Sequence, residues 1–140
     1  MRANDHGERT CDATSLVAAL GLAVDARGVD GEDLGWVEGY FSPRVGGDVA
    51  PGVPVGVLSL VLSTLMELAI VAALPEGARV GTARTLTTSS EGLVSASERY
   101  AVRAEVVALS PRGATVEASV TDEGGRVRAR AEAAYRVERA

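Results

Sequence analysis

A long apolar stretch in the middle of the chain constrains the fold more than any other feature of the sequence. It is the segment Val55–Leu74, VGVLSLVLSTLMELAIVAAL, which only Ser59, Ser63, Thr64 and Glu67 interrupt with polar groups. Such a length suffices to cross a bilayer, but it also suits a helix buried inside a soluble protein. Glu67 would be costly in hydrocarbon, and no basic cluster flanks either end to set an orientation. We therefore predict a helix buried by protein, and no membrane partner.

Length and charge set the broad class of the protein. A chain of 140 residues has the size of one domain. We predict a flexible tail over residues 1–12 and a single domain over residues 13–140. Hydrophobic residues make up 46% of the sequence, which is ordinary for a globular protein. The formal net charge of -5 argues against a nucleic-acid partner, because proteins that bind nucleic acids usually carry clustered positive charge.

The residue types that are scarce exclude several kinds of chemistry. All 14 basic residues are arginines, so a lysine Schiff base, and with it pyridoxal phosphate, is excluded. His6 is the one histidine and lies in the polar N-terminal tail, where simple solvent exposure is expected. His6 and Cys11 are too few for the usual zinc ligands, and we predict no metal and no cofactor. Because Cys11 cannot form an internal disulfide, the sequence favours a reducing, cytoplasmic location.

Patterns on both sides of the apolar stretch predict an α+β protein. DATSLVAALGL is typical of a short helix, and two strands are expected around the GVDGED turn. Pro54 favours the first turn of the long helix, and Pro75 and Gly77 end it. The segments RVGTARTLTTSS, SERYAVRAEVVALS, GATVEASVTD and RVRARAEAAYRVER then predict an antiparallel meander. Its inward face is rich in alanine, which would let the helix lie close.

This order of elements resembles the hotdog fold, in which a curved antiparallel sheet wraps one central helix, and in particular the PaaI-like acyl-CoA thioesterase family. The similarity runs from SLVAALGLAV to AEAAYRVER. It includes a Thr-bearing strand, two long strands, a D-x-G turn and a last strand that ends near a tyrosine. The resemblance implies an acyl-thioester substrate, a site between subunits, and a homodimer or a dimer of dimers. An uncovered edge strand and an uncovered helix side also favour association.

The sequence motif of that family is only partly present. In the family, a His-Gly-Gly loop leads into the central helix, and an Asp or Glu two turns on acts as base or nucleophile. Pro54 and Val55 stand where the His and the first Gly are expected, and only Gly56 matches. Counting forward from Gly56, the acid position falls on Ser63. The resemblance therefore predicts the fold better than it predicts hydrolysis.

The polar residues of the long helix are candidates for catalysis. Gly56, Ser59, Ser63 and Glu67 follow three- and four-residue spacing, so they form one line, which we call the polar stripe. Burial on an apolar helix would raise the pKa of Glu67, as a general base requires. An ion pair with an arginine across a subunit interface is the alternative. Ser63 would hold substrate or water, unless it bonds back to its own helix. Asp48, in the preceding loop, is the third catalytic candidate.

Substrate binding has its own candidates. Backbone N–H groups of Gly56 and Val57 open the helix at its positive dipole end, where they could bind a thioester carbonyl oxygen. The alternative is that the glycine only eases the turn into the helix. Ser59 and Thr87 are predicted to line the cavity, although threonines in strands are often simply good β-formers. The candidates for binding the phosphates of coenzyme A are three arginines: Arg44, Arg79 and Arg84.

Three functions compete at this point. The first is a PaaI-like hydrolase of acyl-CoA or acyl-carrier thioesters with a non-standard active site. The second is a catalytically silent hotdog protein that binds an acyl or polyketide-like ligand, or that serves as a structural subunit. The third is a hydratase or dehydratase, which is disfavoured because such hotdog enzymes use a histidine that the body of this chain lacks.

Overall fold

The computed structural model describes residues 13–44, 52–96 and 98–139. The elements, in chain order, are helix α1 (Ala13–Ala19), strands β1 (Leu22–Val29) and β2 (Gly35–Phe41), the long helix α2 (Val55–Ala73), and strands β3 (Ala78–Ser90), β4 (Tyr100–Ser110), β5 (Gly113–Thr121) and β6 (Val127–Arg139). This is the predicted order along the chain, and α2 begins directly after Pro54. The predicted meander holds only for β4, β5 and β6, because β3 pairs with β6 at the edge of the sheet and not with β4. The predicted tail, residues 1–12, and the loop segment 45–51 lie outside the described residues.

The six strands form one antiparallel sheet, and α2 packs on one of its faces. The strand order is β1-β2-β4-β5-β6-β3, so β1 and β3 are the two edges. Gly125 closes the β5–β6 hairpin with a φ of 86°, which explains the glycine in the predicted DEGG turn. The predicted α+β architecture, one long helix held by an antiparallel sheet, is confirmed.

Alternation along the strands builds the core. Every second residue of the central strands faces α2 and is buried: Val102, Ala104, Val106, Val116, Ala118, Val120, Ala129, Ala131 and Ala133. The helix buries Leu58, Val61, Leu62, Leu65, Met66, Ala69 and Ile70. Because many inward strand residues are alanines, the helix backbone lies close to the sheet, as the sequence predicts.

Gly35, at the start of β2, permits an especially close approach between α2 and the sheet. A Cβ atom at this position would lie 1.9 Å from the carbonyl oxygen of Ala69 and 3.4 Å from the Cβ of Ala72. The nearest obstacle is helix backbone, which cannot move aside as the end of a long side chain can. Gly35 therefore sets the depth of α2 and, with it, the position of each side chain on the helix.

Among the described residues, α2 is also the one helix long and apolar enough to cross a membrane by length and composition. A core helix passes the same test. Leu62, Leu65 and Met66 are completely buried by the rest of the protein, as predicted for a core helix. The absence of a membrane partner stays a prediction.

One side of α2 and the edge strand β3 remain uncovered. Val55 and Val71 of the helix are 53% and 49% exposed, and Leu86 of β3 is 41% exposed. Leu86 is paired with the buried Ala133, so its side chain lies on the helix side of the sheet. Large apolar side chains therefore border the same uncovered surface, which we call the open face.

Candidate active site

The polar stripe lies on the open face of α2. Gly56 and Glu67 are exposed, while Ser59 and Ser63 are half-buried. Residues on the opposite side of the helix, such as Leu65, are fully buried against the sheet. The four polar positions therefore share a surface that a ligand can reach.

Glu67 carries the one carboxylate of α2. It forms no ion pair and no hydrogen bond with the described residues. Partial burial raises the pKa of the Glu67 carboxyl above its ordinary value, because the ionised form loses hydration. A neighbouring arginine would lower the pKa instead. Within one protomer, the carboxylate of Glu67 therefore has no cationic partner among the described residues and is harder to ionise than an ordinary glutamate.

Ser63 is engaged within its own helix. Its Oγ donates a hydrogen bond of 3.0 Å to the carbonyl oxygen of Leu60. Thr64 donates to the same carbonyl at 2.9 Å. The described residues contain no histidine that could activate Ser63, and His6, the one histidine of the sequence, lies outside them. The hydroxyl can still accept a hydrogen bond from a substrate or a water, which is a positioning role.

Tyr135, in β6, is a residue of the site that the sequence did not single out. Its side chain is buried, and its hydroxyl donates a hydrogen bond of 3.2 Å to the carbonyl oxygen of Ser63. Burial raises the pKa of Tyr135, and the negative charge of Glu67 raises it further. The phenol therefore stays protonated and lies within the electrostatic reach of Glu67. A usable signal was present, because a tyrosine on the inward face of a strand needs a buried acceptor.

In the edge strand β3, Thr88 rather than Thr87 contacts the polar stripe. Ser59 Oγ donates a hydrogen bond of 2.8 Å to Oγ1 of Thr88 and so ties the helix to β3. Thr87 is paired with the exposed Glu132, on the sheet face turned away from α2. Neighbouring strand residues point to opposite faces, so Thr87 and Ser59 do not face the same surface within one protomer. The predicted role of Thr87 in substrate binding stays a prediction.

The start of α2 offers fewer free donors than predicted. The N–H of Val57 donates to the carbonyl oxygen of Pro54 at 3.0 Å, so the predicted role of Val57 as an oxyanion donor is not available in this geometry. The N–H of Gly56 has no hydrogen-bond acceptor among the described residues. A Cβ on Gly56 would meet nothing within 4 Å. Packing inside one protomer therefore does not require glycine here.

Asp48, the third catalytic candidate, lies in the segment 45–51, outside the described residues.

The three predicted phosphate-binding arginines do not meet in one protomer. Arg44 follows the end of β2, whereas Arg79 lies at the beginning of β3, and these two strands run in the same direction. They are separated by four strand spacings, about 19 Å along the sheet at about 4.8 Å per spacing. Arg79 is paired with Glu138 at 3.1 Å, and Arg84 lies in the irregular part of β3. A single phosphate cannot contact Arg44 and Arg79 of one chain.

Metal ligands are also scarce in the part of the chain that the structure describes. No group of three or more His, Cys, Asp or Glu side chains in residues 13–44, 52–96 and 98–139 is arranged to hold a metal ion. The predicted absence of a metal and of a cofactor stays a prediction.

Comparison with solved structures identifies the fold. The chain is similar to a thioesterase from Haemophilus influenzae, with 20% identity over 89% of this chain and 82% of that chain, and a TM-score of 0.74. It is similar to AziG from S. sahachiroi, with 20% identity, 89% and 97% coverage, and a TM-score of 0.77. A proposed thioesterase from Ralstonia eutropha, described as related to phenylacetic acid degradation, matches with 22% identity, 87% and 89% coverage, and a TM-score of 0.67.

Sequence comparison adds nothing to this result. No protein-family model matches the sequence, and no curated protein matches it significantly. Identities near one fifth carry information on architecture rather than on chemistry. The structural likeness nevertheless spans most of the chain in each case. The chain therefore has the hotdog fold.

Proposed function

We propose that this protein hydrolyses acyl thioesters, with Glu67 as general base at a site on the open face of α2. The observation that carries the proposal is the position of Glu67 and the raised pKa of its carboxyl group. It is the one carboxylate of the central helix, it lies on the open face, and burial without a cationic partner raises its pKa. Proteins of the same fold that are called thioesterases support the reaction class.

Distances along the helix lead us to propose that two protomers contribute to each site. Gly56 and Glu67 are eleven residues apart, which corresponds to about 16 Å along α2 at about 1.5 Å per residue. One carbonyl group cannot contact both the N–H of Gly56 and the carboxylate of Glu67 on the same helix. A two-fold axis perpendicular to α2 at the open face would make the two helices antiparallel, so that the start of one helix approaches the middle of the other. The exposed Leu86 and Val71 would be buried in such a homodimer.

The proposed reaction adds water across the thioester bond. The thioester carbonyl oxygen accepts a hydrogen bond from the N–H of Gly56 at the positive end of α2. Glu67 of the other protomer takes a proton from water as the water oxygen attacks the carbonyl carbon. The tetrahedral intermediate then collapses, the carbon–sulfur bond breaks, and the protonated Glu67 returns its proton to the leaving thiolate. The products are a carboxylic acid and a free thiol.

The remaining polar groups would orient the reactants. Ser63, one turn before Glu67, would accept a hydrogen bond from the attacking water. Tyr135 would hold the Ser63 carbonyl and hence the turn that carries Glu67. The carrier is proposed to be coenzyme A or an acyl-carrier protein. Arg84, exposed in β3, borders the same surface depression as Tyr135 and is the arginine proposed to contact the carrier. A cytoplasmic location fits these carriers.

A panel of acyl thioesters, assayed by release of free thiol, tests the proposal. Turnover by the wild-type protein is expected for at least one acyl class, and Glu67→Gln is expected to remove most of it. Glu76→Gln is the matched control, since it makes the same chemical change in the turn after α2, outside the polar stripe. Absence of thiol release across the panel, or full activity of Glu67→Gln, would contradict the proposal.

A second function is favoured by one observation. Ser63 stands at the position of the family's acid, and its hydroxyl is already hydrogen-bonded to Leu60. A hotdog protein that binds an acyl or polyketide-like ligand without hydrolysing it would tolerate that arrangement. Thermal stabilisation by a non-hydrolysable thioether analogue, together with no thiol release from the thioester, would establish this second function.

A further inference from the structure

The loop between β3 and β4 holds the segment of chain that enters α2. Gly52 and Ser95 form an isolated antiparallel bridge. The N–H of Val53 donates a hydrogen bond of 2.8 Å to the carbonyl oxygen of Val94, and both valines are buried. The residues just before α2 are therefore paired, in the manner of a short strand, with loop residues 91–95, which we call the entry loop.

The entry loop is itself fixed to the sheet at both of its ends. At its beginning, the carbonyl oxygen of Arg128 in β6 accepts hydrogen bonds from the N–H groups of Glu91 and Gly92, at 2.8 and 3.1 Å. At its end, the N–H of Ser95 donates a hydrogen bond of 2.7 Å to the hydroxyl of Tyr100, the first residue of β4. Of these three hydrogen bonds, the last one uses a side chain, so a single substitution can remove it.

Tyr100 is held firmly in the core. Its side chain is 1% exposed and belongs to the same buried cluster as Phe41, its partner in β2. A buried tyrosine hydroxyl usually finds a polar partner, and here the partner is the backbone of the entry loop. Replacement by phenylalanine would remove the hydrogen bond to Ser95 and leave the ring in its place.

The first turn of α2 is connected stiffly to Val53. Pro54 has a φ of -62°, which its ring restricts, and its carbonyl oxygen accepts hydrogen bonds from the N–H groups of Val57 and Leu58, at 3.0 and 3.1 Å. A shift of Val53 is therefore passed on to Gly56, which lies inside this turn. A Cβ on Gly56 would meet nothing within 4 Å, so packing from the side does not hold this residue.

We propose that Tyr100 is a positioning residue for hydrolysis: its hydroxyl fixes the entry loop, and the loop sets the place of the Gly56 N–H that binds the thioester carbonyl oxygen. This inference rests on the function proposed for Gly56 and Glu67. Tyr100 does not touch the substrate and acts through the backbone. Its contribution belongs to the transition state, because the oxyanion forms there, and a donor misplaced by about 1 Å can cost about a hundredfold in rate.

The Tyr100→Phe variant, assayed by thiol release, tests the proposal. Its kcat is expected to fall by about tenfold to a hundredfold with KM nearly unchanged, as for an interaction made only in the transition state. The acidic limb of the pH–rate profile, which Glu67 sets, is expected to stay in place. General loosening of the core would instead rehydrate Glu67 and move that limb toward the ordinary glutamate pKa.

Tyr40→Phe is the matched control, since it makes the same chemical change on the sheet face turned away from α2. Tyr40 is 40% exposed, and Arg99 lies over its ring at 3.9 Å from the centroid, a contact that phenylalanine retains. This variant is expected to keep the wild-type kcat.

A double-mutant cycle shows whether the effect of Tyr100 passes through the start of α2. In the Gly56→Val variant the added side chain keeps the carbonyl away from the N–H, so Tyr100→Phe is expected to cause no further loss of kcat in that background. Hydrogen exchange gives a readout besides activity. The N–H of Val53 is expected to exchange faster in Tyr100→Phe than in the wild-type protein or in Tyr40→Phe.

The possible outcomes separate this inference from the proposed function. Three results would overturn the role of Tyr100 and leave the proposed hydrolysis intact: a wild-type kcat in Tyr100→Phe, an equal loss in the Gly56→Val background, or unchanged exchange at Val53. Absence of thiol release by the wild-type protein would instead contradict the proposed function, and the role of Tyr100 with it.

Discussion

Replacement of Gly35 by alanine tests how closely α2 is held against the sheet. A Cβ at this position would lie 1.9 Å from the Ala69 carbonyl oxygen, whereas ordinary contact begins at 3.4 Å. The helix and β2 must therefore separate by about 1.5 Å. Overpacking of this kind costs about 1–3 kcal/mol, and a backbone obstacle favours the upper end. The lower entropy of the unfolded alanine chain offsets up to about 1 kcal/mol, which leaves a net loss of about 2 kcal/mol.

Thermal unfolding, followed by circular dichroism, measures this loss. An unfolding entropy of about 2.1 cal/mol/K per residue gives about 0.3 kcal/mol/K for 140 residues, so Tm should fall by about 7 °C. Gly31→Ala is the matched control, because a Cβ there would meet nothing within 4 Å. Its unfolding free energy is expected to stay unchanged or to rise by up to about 1 kcal/mol, because only the entropy of the unfolded chain changes.

The same variant connects packing with activity. If Gly35→Ala moves α2 outward, the polar stripe moves with it, and a displacement of about 1 Å can cost about a hundredfold in rate. A loss of turnover at temperatures where the variant is still folded is therefore expected. A Tm close to the wild-type value, with no difference from the Gly31→Ala control, would refute the reasoning from close contact.

Four further changes address the site itself. Glu67→Gln should remove the acidic limb of the pH–rate profile, a limb that lies above the ordinary glutamate pKa because burial raises the pKa of Glu67. A raised pKa means that the folded state binds the Glu67 proton more tightly than the unfolded state does. The free energy of unfolding should therefore fall as pH rises from the ordinary glutamate pKa through the raised pKa of Glu67. Urea unfolding curves should show a smaller fall for Glu67→Gln. Ser63→Ala should lower kcat with little change in Tm, since Thr64 still donates to the Leu60 carbonyl. The Gly56→Val variant should fold, because a Cβ at that position meets no other atom within 4 Å. Its kcat/KM should fall by several hundredfold, which corresponds to a loss of about 3 kcal/mol of transition-state stabilisation. Tyr135→Phe should lose about 1 kcal/mol in unfolding free energy, the usual value of one hydrogen bond, and an unchanged urea midpoint would contradict the contact with Ser63.

The sequence predicts the architecture well because the fold depends on patterns that repeat. Alternation marks the inward faces of β4, β5 and β6, and the length and apolar character of Val55–Leu74 mark the central helix. Burial of this helix follows from the need of an amphipathic sheet for an apolar partner. Each of these inferences averages over many residues, so a single unusual position does not change the result.

The site is harder to predict because single positions decide it. RVGTARTLTTSS carries hydroxyls on both faces, and β3 has irregular register at Val80, Ala83 and Thr85, so the sequence does not show which threonine meets the helix. Thr88 does so. The N–H of Val57 is likewise used by the turn at Pro54, which depends on backbone geometry rather than on residue type.

The proposed use of Glu67, one helical turn beyond the position where the resemblance expects an acid, has a geometric consequence that links these observations. One helical turn moves a side chain about 6 Å along the axis and keeps it on nearly the same face. Side chains on a helix lean toward its N-terminus, so Glu67 reaches back over the turn that contains Ser63. Tyr135 fixes the carbonyl of that same turn. Glu67 lies one turn beyond Ser63, and its long side chain can reach back toward that position. We therefore expect Glu67 to serve a substrate that is bound where an acid at position 63 would also reach it.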